Sequence, residues 1–309
     1  IINQEYRIFF FLFVFMVIES FLRYIRTEKR FSSHTVIAYK TDLTQFENYL
    51  TSTYGAASDA EVTYAMIRSW LASLVDEGVV SRSVNRKLST LRAYYRYLMK
   101  EGIVQASPVA KAVSLKTPSV LPKFASVEQM ESILDISGEA DNGFALTRDL
   151  LLIEILYCTG IRLSELINLK MEDINTGTKS IKVTGKRNKQ RIIPVSEHLL
   201  NLISNYAGIR EQVTQPGVFE LIITDRGKKA YPVFIYRKVK QYLTVAGVKG
   251  VRSPHVLRHT FATHMLNEGA DLNVLKEILG HASLAATQVY THNSIEKLKS
   301  IYKHAHPRA

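Results

Sequence analysis

Between residues 255 and 292 the chain reads "HVLRHTFATHMLNEGADLNVLKEILGHASLAATQVYTH", with histidines at 255, 259, 264, 281 and 292, Arg258 among them and Tyr290 near the end. Histidine at this density suits a metal site, a proton relay or an anion site. His255 and His259 are spaced to face one ion. However, the pattern is not His-Glu-x-x-His, and Cys158 lies far upstream in the apolar run "LLLIEILYCTG", so no metal is expected. An oxyanion site fits better. Ser253 and Pro254 read as a helix start, Ser as cap and Pro in the first turn. His255 then falls where free amides and the helix dipole favour an anion. Arg258, one turn along the same face, could grip a phosphate with two donors. Leu257, Phe261 and Met265 supply an apolar side. Taken alone, His-x-x-Arg also describes a helix-start histidine beside a surface arginine, and Tyr290 alone could be a core tyrosine near Leu284 and Val289. His259 and His264 read as structural.

The elements that would hold these residues are mostly helical. "SHTVIAYKTDLTQFENYL" carries a cap at Ser33 and apolar residues at Val36, Ile37, Leu43, Phe46 and Leu50. "YAMIRSWLASLVDEG" closes at Gly78. In "SRSVNRKLSTLRAYYRYLMKEG" the residues Arg82, Arg86, Arg92, Arg96 and Lys100 share one stripe, and Val84, Leu88, Leu91, Tyr95 and Leu98 lie opposite. Such a stripe is ordinarily a solvated charged face, but it contains no acid of its own and guanidinium groups suit phosphate, so the arginines are expected to contact phosphate. A Pro-containing stretch follows, then "TRDLLLIEILYCTG" as a buried helix ending at Gly160. "IRLSELINLK" is a short helix, and "KSIKVTGKRNKQRIIPV" a β-hairpin around a basic turn. Helical pattern resumes to the end. The expected division is an apolar extension over 1–18, a helical domain over 19–103, a linker over 104–124 and a second domain over 125–309.

Composition narrows the partners. The chain has 309 residues, 40 Lys and Arg against 28 Asp and Glu, and a net charge of +12, which favours a polyanionic partner. One cysteine excludes an internal disulfide framework and fits a reducing cytoplasm. "IFFFLFVFMVI" near the start is shorter than the roughly 20 residues of a spanning helix. No membrane association is expected, and the natural start is expected at Met16, with the preceding residues an upstream extension.

The order of the boxes is more specific than any one of them. "TGIRLSEL" presents Arg162 after Gly160, "TGKRNKQR" presents Lys186, and "HVLRHTFATHMLNEG" and "LGHASLAATQVYTH" follow. Together they resemble the motif boxes of the tyrosine site-specific recombinases (the phage integrase family), from about Glu19 to the end. The closing "IYKHAHPRA" resembles the tail of the Xer chromosome-resolution branch.

The resemblance implies a mainly α fold with a small β-hairpin or sheet in an α+β catalytic domain, two domains forming a clamp around DNA. It implies Tyr290 as a nucleophile forming a 3′-phosphotyrosyl link. Arg162 and Arg258 would clamp the non-bridging oxygens, His255 and His281 would bond the phosphoryl group or assist proton transfer, and Lys186 would protonate the leaving 5′-oxygen. Lys189 rivals Lys186 in the same turn, and Arg187 stands where the family usually has Gly. Glu165 would orient Arg162. Positioned cations stabilise charge on the equatorial oxygens, and a phosphotyrosyl ester conserves the bond energy, so no metal, ATP or other cofactor is expected. Expected partners are double-stranded DNA, further recombinase subunits in a tetrameric synapse, a paralogue among them, and a septal DNA translocase. A mobile-element integrase or invertase, or a DNA-binding accessory protein without catalysis, are the alternatives. The stripe Ile295, Leu298, Ile301 and Tyr302 in the tail would bury itself on its own domain or, as the resemblance suggests, in a neighbouring protomer.

Overall fold

The computed structural model describes residues 4–55, 58–117, 124–135, 143–185, 188–280, 302 and 305–308, with the side chains of the first helix from Met16 onward. The chain divides into two compact units, Ile1–Val120 and Leu121–Ala309.

The described part of the first unit is helical: α1 (Gln4–Thr27), α2 (Ser33–Tyr54), α3 (Tyr64–Asp76) and α4 (Ser81–Lys100). The cap of α2 is Ser32, one residue before the expected Ser33; its hydroxyl accepts from the Thr35 amide at 3.3 Å. Gly78, at φ +80°, follows α3 in the left-handed region that favours glycine. The apolar face of α4 is fully used: Val84, Leu88, Leu91, Tyr95 and Leu98 are buried against Phe21, Leu43, Phe46 and Trp70. Two expectations change here. Val17 and Ile18, assigned to an extension, are buried in this core, because α1 turns one apolar face inward from Val17 to Ile25. Val104, Val109 and Ala112, assigned to the linker, are also buried in it, because apolar residues spaced through a turn-rich segment can still pack without a helical period.

The second unit is built around α6 (Phe144–Thr159), buried along nearly its whole length, so its sequence shows no polar face. Around it lie α5 (Val127–Leu134), α7 (Leu163–Asn168), α8 (Glu197–Glu211), α9 (Pro232–Val245), α10 (Pro254–Asn267) and α11 (Leu272–Leu279). Ser126 caps α5 in a reciprocal box with Gln129. Pro254 opens α10 as expected, but Ser253 occupies the cap position without a side-chain capping bond. Leu257, Phe261 and Met265 of α10 are buried in the shared core.

A three-stranded antiparallel sheet runs in the order β1 (Ile174–Asn175), β2 (Ser180–Thr184), β3 (Gln190–Pro194). The expected hairpin is its β2–β3 pair, and the register sets Ile181 opposite Ile193 and Val183 opposite Arg191. The end of the tail packs within its own unit. Tyr302 and Ala305 join the core, His306 is buried beside Tyr157, and the Arg308 Nε donates to Glu154 at 3.0 Å. Among the described residues no helix is long and apolar enough to cross a membrane.

Candidate active site

The site begins where α6 stops. Gly160 takes φ +58°, and a Cβ there would lie 2.5 Å from Phe261 Cδ1 and 2.8 Å from Leu279 Cδ2. Only glycine allows both this turn and this approach. The turn places Arg162 at the start of α7, 31% exposed at its side chain. Its backbone amide donates to Glu165 Oε2 at 2.7 Å, its Nη1 to Glu165 Oε1 at 2.8 Å and its Nη2 to the Gly280 carbonyl at 3.2 Å.

Arg258 comes from the second turn of α10. Its Nη1 donates to the Gly160 carbonyl at 2.6 Å and its Nη2 to the Leu279 carbonyl at 2.7 Å. Burial, then the positive charges of Arg162 and Arg191, bring its pKa down to about 10. It therefore remains a cation at neutral pH. Both expected clamp arginines are thus anchored on adjacent carbonyls where α11 ends. Among the described residues those carbonyls have no helical partner, and the negative end of the helix dipole favours a cation beside them.

A third arginine joins them, one that sequence reasoning passed over. Arg191 on β3 is buried; its Nε donates to the Ile278 carbonyl at 2.7 Å, and its two terminal nitrogens to Glu165 Oε1 at 3.0 Å and Oε2 at 2.9 Å. Burial alone would raise the Glu165 carboxyl. The hydrogen bonds from Arg191 and Arg162 and the Arg191 charge outweigh it and hold the carboxyl below the usual range. The missed signal is the two-residue alternation of a strand. It puts Arg191 on the face of Ile193, and an arginine on a buried face needs a partner.

His255 is exposed in the first turn of α10, on the helix that carries Arg258. His264 is buried and holds its Nδ1 2.9 Å from the Tyr157 hydroxyl, while His259 packs edge-on to Phe124. Both have the structural placement expected of them. Lys186, His281 and Tyr290 lie outside the described residues. Lys189 is exposed just before β3. No cluster of three or more metal-ligating side chains occurs among the described residues.

On α4, Arg82, Arg86 and Arg96 are exposed and Arg92 is half-buried. The stripe was expected to lack an acidic partner, and the structure corrects this. Asp42 of α2, buried, pairs with Arg86 and, at 3.1 Å, with Lys87, and accepts from the Thr90 hydroxyl at 2.8 Å. The acid belongs to a neighbouring helix, beyond the reach of a reading confined to α4. Arg92 also donates to the Ala112 carbonyl at 2.6 Å.

Known proteins resemble this chain over nearly its whole length. Residues 123–297 match the model of the phage integrase family, and residues 18–102 match that of the phage integrase N-terminal SAM-like domain. The tyrosine recombinase XerC of Chlorobaculum tepidum is 36% identical, with 94% of each chain covered. The tyrosine recombinase XerD of Staphylococcus aureus is 34% identical over 95% of this chain and 99% of its own. The fold matches that of the XerH site-specific recombinase in a post-cleavage complex with a difH substrate, at a TM-score of 0.68 and 22% identity, covering 88% of this chain and 76% of that one. With both units matched by family models and nearly the whole length shared with these relatives, the chain belongs to the phage integrase family as a site-specific tyrosine recombinase of the Xer type, an enzyme that cleaves and rejoins DNA.

Proposed function

We propose that the half-buried arginine pair Arg162 and Arg258 receives the scissile phosphate and that Tyr290 is the nucleophile. The Tyr290 hydroxyl attacks phosphorus and forms a 3′-phosphotyrosyl ester. The 5′-oxygen departs as a hydroxyl, taking its proton from Lys186. Arg162 and Arg258 hold the non-bridging oxygens, and His255 and His281 bond the phosphoryl group or carry the tyrosyl proton. Rejoining reverses the step with a 5′-hydroxyl as nucleophile and Tyr290 as leaving group, so bonds balance and no metal or ATP is consumed. The observation that carries this reading is the anchoring of Arg162 and Arg258 on adjacent carbonyls at the end of α11, which sets two guanidinium groups at one place before substrate arrives. Arg82, Arg86, Arg92 and Arg96 are assigned to the DNA backbone.

The physiological reaction is the resolution of chromosome dimers at a terminus site during cell division. It takes place in the cytoplasm, in a tetrameric synapse with recombinase subunits that include a paralogue, under control of a septal DNA translocase. Near-full-length likeness to proteins named XerC and XerD supports this reading. A palindrome-like site recovered near the replication terminus by chromatin pull-down is the expected result. Recovery only at the ends of a mobile element would favour an integrase instead.

The chemical test uses a suicide duplex nicked near the cleavage point. Tyr290→Phe should bind the site and form no covalent adduct on a denaturing gel. An adduct from that variant would transfer the nucleophile's role to another residue.

A further inference from the structure

Arg191 is too deeply buried to touch DNA, with 6% side-chain exposure, yet its guanidinium occupies both oxygens of Glu165. Glu165 is in turn the carboxylate that holds Arg162, and its side chain is 2% exposed. A carboxylate this close to one clamp arginine would cancel most of that arginine's charge towards any other anion. A second guanidinium on the same carboxylate reverses the balance. Arg162, Arg191 and Arg258 against Glu165 leave two excess positive charges among the described residues. A phosphodiester brings one negative charge, and further charge gathers on its equatorial oxygens in the transition state.

We infer that Arg191 is a positioning residue for catalysis. By neutralising Glu165 it frees the charge of Arg162 for the scissile phosphate, and through the Ile278 carbonyl it fixes β3 to the helix end whose carbonyls anchor both clamp arginines. This rests on the function proposed above. Gly185 belongs to the same construction. Its amide closes the hairpin on the Lys189 carbonyl at 2.7 Å, and a Cβ there would stand 3.3 Å from Glu165 Oε1, crowding the shared carboxylate.

The experiment measures strand cleavage of the suicide duplex with either an ordinary phosphate or an uncharged methylphosphonate at the scissile position. Arg191→Gln should slow cleavage of the phosphate about 100-fold, the size of losing one transition-state donor. It should slow the methylphosphonate far less, because less charge needs compensation. A purely structural role would slow both equally, and that result overturns the inference. The double variant Arg191→Gln/Glu165→Gln removes one charge of each sign and restores the excess, while Gln can still accept from Arg162. It should recover most of the lost rate; a double variant as slow as the single one overturns the inference. Should Arg191→Gln fail to fold, with a carboxylate left unpaired in the core, the double variant decides alone. A rate near that of the unsubstituted protein supports neutralisation, and a loss of about 100-fold refutes it. An unsubstituted protein that forms no Tyr290 adduct overturns the proposed function and this inference together. An adduct from it, with Arg191→Gln unimpaired on both substrates, overturns the inference alone.

Discussion

At Gly160 one residue does three things: it ends α6 in the left-handed region, lets Phe261 and Leu279 close over its Cα, and offers its carbonyl to Arg258. Gly160→Ala should therefore destabilise the second unit by about 2–4 kcal/mol, from left-handed strain together with overpacking. Denaturant unfolding would measure this, and a loss below about 0.5 kcal/mol would mean that the turn relaxes at little cost. Gly160 was legible in the sequence because glycine after a long apolar helix signals a helix end, and Arg162 and Arg258 were legible through their boxes. Arg191 was not. It stands in a run of basic residues around a turn, where the cations are ordinarily solvated, and only the hairpin register distinguishes it from Lys186 and Lys189.

Helix faces follow directly from apolar spacing, so α4 was read with its core side correct. What holds its polar side could not be read, because Asp42 approaches from another helix. A similar cross-helix arrangement gives the first unit a pH dependence. Burial, with the nearby Asp59 charge, pushes Glu47 up to about 7; burial pushes Asp59 up to about 6, opposed by the hydrogen bond that Tyr94 donates at 2.8 Å. The folded unit thus keeps these protons to higher pH than the unfolded chain does. The stability they contribute is complete below the ordinary carboxylate values and is lost as pH rises through about 6 and 7. Thermal melts should show the first unit weakening from pH 5 to pH 8, and Glu47→Gln/Asp59→Asn should flatten that trend. A double variant with an unchanged slope would assign the trend to other groups.

Over the whole molecule, the two units should respond to acid with opposite signs. His306 is buried against Tyr157, Phe261 and Tyr302, and burial lowers its pKa to about 4. A depressed base contributes stability above its ordinary value of 6.5 and loses it as pH falls through about 4. The docked end of the tail should loosen on acidification while the first unit firms. Hydrogen exchange resolved to the last residues at pH 5 and pH 7.5 would report this, with faster relative opening at the lower pH. Protection that stays level would mean that Arg308 and Glu154 hold the tail without His306. That Tyr302, Ala305 and Arg308 seat in their own unit could not be read from the sequence. The stripe Ile295, Leu298, Ile301 and Tyr302 is equally suited to its own core or a neighbour's; all of it but Tyr302 lies outside the described residues, and what receives the described end is the buried Glu154, far away in α6.

The three successive carbonyls at the end of α11, those of Ile278, Leu279 and Gly280, each accept from a different arginine. An arginine side chain free in water holds about 2 kcal/mol of rotamer entropy. Here folding has already taken that freedom away, so an incoming phosphate meets donors with little disorder left to lose. Phosphate recognition at this proposed site should accordingly carry a small entropic penalty compared with any phosphate contact made by Arg82 or Arg96, which are exposed on α4 and would have to be ordered by the ligand itself.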